Sequence, residues 1–186
     1  MKTQLLLFAT LTLSAAPALA AETAVARLID HSGKDIGTAT FSEGPGGIVI
    51  DFDLAGLPAG AHAVHIHSVG TCDDHGDGFT ASAGHLNPGG RKHGLLNPDG
   101  PDAGDLPNLF AHADGTVRAE VFSMLASLSG QGGRAKILDD DGAALVIHAH
   151  RDDHHVQPIG GAGPRIACGV ISAREGGTGT VLEKAH

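Results

Sequence analysis

Gly60-Ala-His-Ala-Val-His-Ile-His67 is the stretch on which the reading of this chain turns. Its second half alternates aliphatic residues with histidines, the period-2 pattern of a strand. In a strand His65 and His67 project from one face a few ångströms apart, so the imidazoles form a chelating pair suited to copper or zinc. The pair alone is a weak signal, because half-exposed strand histidines are common. His85 and His93 in the Gly/Pro-rich segment that follows, and His148 at the end of the apolar run Ala144-Leu-Val-Ile-His148, strengthen it.

Outward from this stretch, short β-like runs recur along the chain. Residues 24–29 and 36–41 flank a turn at Ser32-Gly33, and residues 47–54 end at Leu57-Pro-Ala-Gly60. Residues 61–67, 117–122, 135–138, 144–148 and 166–171 complete a set of about eight strands. Twenty-eight glycines and nine prolines supply the turns, and helical periodicity is nearly absent. The pattern predicts an all-β antiparallel sandwich or barrel. Asp140-Asp-Gly142 predicts a hairpin between two of these strands. Two connections, residues 68–114 and 149–164, are too long for plain turns and are expected to carry function.

The first twenty residues are expected to be a signal peptide: Lys2, an apolar run from Leu5 to Leu13, and Ala18-Leu-Ala20 before the cleavage point. Residues 21–186 then form one exported domain, and no later run is long enough to span a bilayer. Export to an oxidising compartment and an even cysteine count predict a disulfide between Cys72 and Cys168. The net charge of −9 includes Lys2, so the exported chain is more acidic still. No basic cluster is present, which disfavours nucleic acid or an anionic membrane as partner. An anionic substrate would need a local positive site.

Several segments together resemble copper/zinc superoxide dismutases, and the bacterial periplasmic branch in particular. They are Gly60–His67, Ser82-Ala-Gly-His-Leu-Asn-Pro88, Arg91-Lys-His-Gly94, Gly104-Asp-Leu-Pro-Asn108, His148 and Arg165-Ile-Ala-Cys-Gly-Val-Ile171. The resemblance implies an immunoglobulin-like Greek-key β-sandwich and periplasmic location, while the sequence leaves monomer and homodimer both open. It implies dismutation of superoxide to oxygen and hydrogen peroxide by redox-cycling copper, with zinc as structural and tuning metal. Copper would be held by His65, His67, His85 and His148. His85 would bridge to zinc as an imidazolate and carry a proton toward product. His93 and Asp105 would be further zinc ligands. Asp152 would hydrogen-bond a ligand of each metal, His62 would support the site from the strand end, and Arg165 would receive the anion.

One position departs from the family pattern. The third zinc histidine would fall nine residues after His93, where this chain has Asp102. A carboxylate oxygen is an acceptable zinc ligand. The alternatives are a solvated loop acid, a partly empty zinc site, or recruitment of His75 or His112. His150, His154 and His155 read as solvated loop histidines. The competing function is a non-catalytic periplasmic copper/zinc-binding protein on the same scaffold.

Overall fold

The computed structural model describes residues 23–174; the leader expected over residues 1–20 and the tail from Glu175 lie outside them. The strands are β1 (Thr23–Asp30), β2 (Asp35–Gly44), β3 (Gly47–Ala55), β4 (Gly60–His62), β5 (Val64–His67) and β6 (Leu109–Ala111). They continue with β7 (Thr116–Ser123), β8 (Ala126–Ser127), β9 (Ala135–Lys136), β10 (Ala143–His148) and β11 (Arg165–Ala173). Seven form one antiparallel sheet in the order β5-β10-β11-β1-β2-β3-β7. β4 pairs antiparallel with β6, and β8 pairs parallel with β9. The expected all-β class is present, with long connections over residues 68–108 and 149–164.

Alternation builds the core. In β3, Ile48, Ile50, Phe52 and Leu54 are buried while Asp51 and Asp53 face solvent. They pack with Leu28, Phe41, Val64, Ile66, Leu145 and Ile147 in one main cluster. Each of these aliphatic or aromatic side chains contributes roughly 1.5–3 kcal/mol by leaving water.

The histidine-bearing strand is different, because β5 and its neighbour β10 are buried on both faces. Val64 and Ile66 point into the main core, so His65 and His67 point to the other side. Their cross-strand partners are Val146 and Ala144, and Val146 in turn lies opposite Cys168 of β11. The disulfide Cys72–Cys168 therefore pins the start of the long loop onto the face that carries the histidines. It spans a sequence separation of 96 residues, a closure worth about 4–5 kcal/mol in a chain-entropy treatment.

β5 is the edge of the sheet, and the long loop covers it. Ile66 N–H donates to Gly104 O at 2.9 Å, Leu86 N–H to Ile66 O at 2.8 Å and Ser68 N–H to Gly84 O at 2.9 Å. Gly104 permits this approach, since a Cβ there would lie 2.3 Å from Ile66 O. These contacts bring His85 opposite His67 and Asp105 opposite His65.

Three details depart from the sequence reading. The strand expected over residues 61–67 divides at Ala63, whose N–H and C=O bond His150 and His148 while β4 turns to β6. β6 lies inside the segment read as loop, its three residues being too short a run for periodicity to register. Asp140-Asp-Gly142 is a turn without a hairpin: β9 pairs with β8, whereas β10 pairs with β5 and β11. A turn motif specifies only a local reversal; here it docks on the loop start, with Gly70 N–H donating to Asp141 O at 2.8 Å.

Candidate metal centre

His65 and His67 come from β5, His148 from the end of β10, and His85 from the loop laid along β5. A register shift between Ile147 and His148 sets Arg165 opposite His148. The extra residue, Ile166, packs toward the main core with Ala167, which turns Arg165 to the histidine face.

The hydrogen bonds of these rings decide which nitrogen is free. His65 Nε2–H donates to Asp152 Oδ2 at 2.9 Å, His67 Nδ1–H to Ala83 O at 2.9 Å and His148 Nδ1–H to Gly163 O at 3.0 Å. The opposite nitrogens, His65 Nδ1, His67 Nε2 and His148 Nε2, are buried with no hydrogen-bond partner, as is His85 Nε2. Ligand atoms of His65, His67 and His85 lie within 4.8 Å of one another. The His148 ring stands beside them, its centroid 5.0 Å from that of His65 and 5.9 Å from that of His67. Four buried nitrogens without a hydrogen-bond partner cost free energy unless something electropositive accepts their lone pairs. An all-imidazole set suits copper.

Electrostatics agrees. Burial holds His65 down at about 3 and His148 at about 4, and places His67 well below the ordinary imidazole value, neighbouring positive charge adding to the effect. These rings stay neutral and basic toward a metal at neutral pH.

A second set adjoins the first. His85 Nδ1 lies 2.9 Å from Asp102 Oδ2 and 3.5 Å from Asp105 Oδ1, and His93 Nδ1 lies 2.6 Å from Asp105 Oδ1. Ligand atoms of all four residues fall within 4.8 Å of one another. Asp105 is fixed by Gly94 N–H at 2.7 Å and Asp102 N–H at 3.0 Å, both donating to its Oδ2. Burial opposes ionisation here, but the histidine–carboxylate hydrogen bonds outweigh it. They raise His85, raise His93 to about 10, and hold Asp105 below the usual carboxylate range. Metal-free, protons occupy the space between two imidazoles and two carboxylates; a divalent cation with nitrogen and oxygen preference fits the same space.

Asp152 joins the sets. Its Oδ2 accepts from His65 and its Oδ1 from His93 Nε2 at 3.1 Å, and these bonds lower its pKa against the opposing effect of burial.

A family model for copper/zinc superoxide dismutase matches residues 36–171 of this sequence. The chain belongs to the copper/zinc superoxide dismutase family. A Cu-Zn superoxide dismutase of Caulobacter vibrioides is 51% identical over 140 residues, 75% of this chain and 79% of that protein. Among solved structures, a SOD-like protein from Bacillus subtilis superposes with a TM-score of 0.73 at 35% identity, covering 78% of this chain and 96% of that one. The Cu/Zn superoxide dismutase from Brucella abortus gives a TM-score of 0.65 at 32% identity, covering 81% of this chain and 100% of that one.

On this superoxide dismutase scaffold every sequence-derived site residue lies in one region. Arg165 donates from Nη1 to Phe79 O at 2.5 Å and Ser82 Oγ at 3.1 Å, and from Nη2 to Ala83 O at 2.6 Å. It lines, with His148 and Thr80, a cleft of ≈ 330 Å³ that opens to solvent. His62 is buried, its Nδ1 2.9 Å from His148 O and its Nε2 2.7 Å from Pro58 O. Asp102 is 3% exposed, so the solvated-acid alternative does not describe it. His75 joins none of the ligand-distance groups, its Nδ1 lying 3.0 Å from His31 O, and His112 is exposed. His150 and His155 are exposed, whereas His154 is not the solvated loop residue expected, its side chain being 13% exposed.

Sequence reasoning left three supporting residues without a role. Asn108 binds Asp152 through both backbone groups, accepting its N–H at 2.8 Å and donating to its C=O at 2.9 Å. Ser82 joins Arg165 to the loop, donating from Oγ to Phe79 O at 2.9 Å. Gly160 packs its backbone against the Asp152 carboxylate. Only the asparagine in Gly104-Asp-Leu-Pro-Asn108 offered a signal, as a side chain able to mimic a backbone turn.

Proposed function

We propose that this chain dismutes superoxide, with copper on His65 Nδ1, His67 Nε2, His85 Nε2 and His148 Nε2 and zinc on His85 Nδ1, His93 Nδ1, Asp102 and Asp105. The observation that supports it best is the group of four buried, unpartnered imidazole nitrogens beside the cleft that holds Arg165. Copper there supplies one-electron exchange, by which one superoxide is oxidised to dioxygen and a second is reduced, with two protons, to hydrogen peroxide.

The protein's own groups do the rest. Arg165 presents a cation held by loop carbonyls at the head of the cleft, so an anion meets a preoriented donor despite the acidic chain. His85 has one nitrogen in each set, and its Nε2 is a buried site at which a proton can be held for the product. Ala83 O, Gly163 O and Asp152 hold the other three rings in single tautomers, which limits reorganisation during turnover. Asp102 makes the zinc set two imidazoles and two carboxylates, more anionic than one with three histidines.

We also propose that residues 21–186 act as one exported domain in the periplasm after loss of residues 1–20. The disulfide supports this, since such bonds persist in oxidising compartments. The test of function is the dismutation rate of protein loaded with both metals, with Arg165→Glu as comparison. The variant is expected to lose about tenfold or more in rate at low ionic strength while retaining copper. An unchanged rate would remove Arg165 from the reaction, and a metal-replete protein with no activity would leave a metal-binding role only.

A further inference from the structure

His154 sits two residues beyond Asp152 with φ 61, an unusual backbone conformation for a residue other than glycine. Its N–H donates to Asp152 Oδ1 at 2.7 Å. Its ring Nδ1 is buried without a hydrogen-bond partner, 3.4 Å from Asp152 Oδ2.

Asn108 determines which ring nitrogen carries the proton. Asp152 N–H donates to Asn108 Oδ1 at 2.8 Å, and because a backbone N–H can only donate, this fixes the oxygen of the amide. The NH2 group then lies on the other side, donating to Asp152 O at 2.9 Å with its second hydrogen facing His154 Nε2 at 3.1 Å. Nε2 must accept, so the single proton of the neutral ring is on Nδ1, toward the carboxylate.

We propose that His154 is a positioning residue for the two-metal centre, its Nδ1–H completing the set of donors that holds the Asp152 carboxylate between His65 and His93. The proposal rests on the reading of those two histidines as copper and zinc ligands. Asp152 Oδ1 receives His93 Nε2–H at 3.1 Å and the His154 N–H, while Oδ2 receives His65 Nε2–H at 2.9 Å and faces His154 Nδ1. With the His154 ring removed and its backbone N–H kept, Oδ2 has one donor against two on Oδ1, and the carboxylate can turn about its Cβ–Cγ bond. Such a turn moves the acceptors of His65 and His93 together, so both metals feel it. Asn108, His154 and Asp152 thus form a relay outside the ligands, in which the amide sets the tautomer and the tautomer sets the carboxylate.

Long-range proton–nitrogen correlation spectra of the protein loaded with zinc and copper(I), which is diamagnetic, read the tautomer directly. The Nδ1-protonated ring is expected at His154; an Nε2-protonated ring or an imidazolium at neutral pH overturns the proposal. The tautomer is read whether or not His65 and His93 are ligands, so its failure and theirs are distinguishable. Two variants test the consequence: His154→Leu removes the donor, and His154→Asn keeps an amide donor on a residue type that tolerates this backbone. Release of zinc and copper to a chelator should be about three- to tenfold faster in His154→Leu and within about twofold of wild type in His154→Asn. Equal release from both variants, with folding intact by circular dichroism, would mean that His154 only fills space.

Discussion

Gly160→Ala should damage both metal sites through a residue that touches neither metal. Gly160 has φ +59, and a Cβ there would lie 1.6 Å from Asp152 Oδ1, 2.6 Å from its Cγ and 3.0 Å from His93 Nε2. A left-handed alanine alone costs about 1 kcal/mol. The overlap cannot be tolerated as it stands, so the carboxylate must retreat by more than an ångström and stretch its bonds to His65 and His93. Loss of such outer partners weakens metal affinity by roughly 10–100-fold, equivalent to about 1.4–2.7 kcal/mol. The neighbouring residue supplies the control. Gly161 has φ +71 but nothing within 4 Å of a built Cβ, so Gly161→Ala carries the backbone penalty without the collision. Competition titrations with zinc and copper chelators, beside thermal denaturation of the metal-free proteins, separate the two effects. The account expects both alanine variants to lose similar backbone stability and only Gly160→Ala to release metal tenfold or more readily. If the two variants hold their metals alike, Asp152 does not transmit the constraint and the reasoning fails.

Two further outcomes follow from the carboxylates and histidines of the site. Asp102→Asn keeps the side-chain oxygen that accepts Gly104 N–H at 2.9 Å but removes the charge facing His85; zinc affinity should fall about tenfold or more with copper retained, and unchanged zinc binding would exclude Asp102 as a ligand. In the metal-free protein, His65, His67 and His148 have depressed values, so the unfolded chain takes up protons below about pH 6.5 that the fold refuses. Stability should then fall with acid toward pH 4, by up to about 1.4 kcal/mol per pH unit for each ring. His93, raised to about 10, stabilises fully below pH 6.5 and loses that contribution as pH rises toward 10. Urea midpoints of metal-free protein should therefore peak near pH 6.5, and a flat profile between pH 5 and 6.5 would contradict the burial assigned to the three rings.

Much of this was readable in the sequence, and the parts that were not share a physical cause. Alternation puts Val64 and Ile66 in the core and His65 and His67 opposite, and period-2 geometry alone sets these two histidines on one face. The expectation of export, with an even cysteine count, implies the Cys72–Cys168 bridge, which the structure contains. Asp102 stood out only as a departure from a family pattern, and its buried place beside His85 depends on a loop path that periodicity does not encode. The hairpin expected at Asp140-Asp-Gly142 is absent because partner choice between strands is a tertiary matter: β5 and β11 occupy the two edges of β10, leaving none for β9. Asn108, Gly160 and His154 were not recognised for the same reason. Asn108 reaches Asp152 across the fold, Gly160 and His154 reach it through the folded path of its own loop, and a residue whose role is to hold another residue's carboxylate carries no local signature.

The central claim is that two metals occupy adjoining sets that share His85. Anomalous diffraction from crystals of protein carrying both metals, collected at the copper and zinc absorption edges, tests it without reference to activity. The account predicts a copper peak roughly 2 Å from His65 Nδ1, His67 Nε2, His85 Nε2 and His148 Nε2, and a zinc peak at similar distance from His85 Nδ1, His93 Nδ1, Asp102 and Asp105. A zinc peak ligated by any other residue, or a single shared peak with His93 and Asp105 uncoordinated, would contradict it.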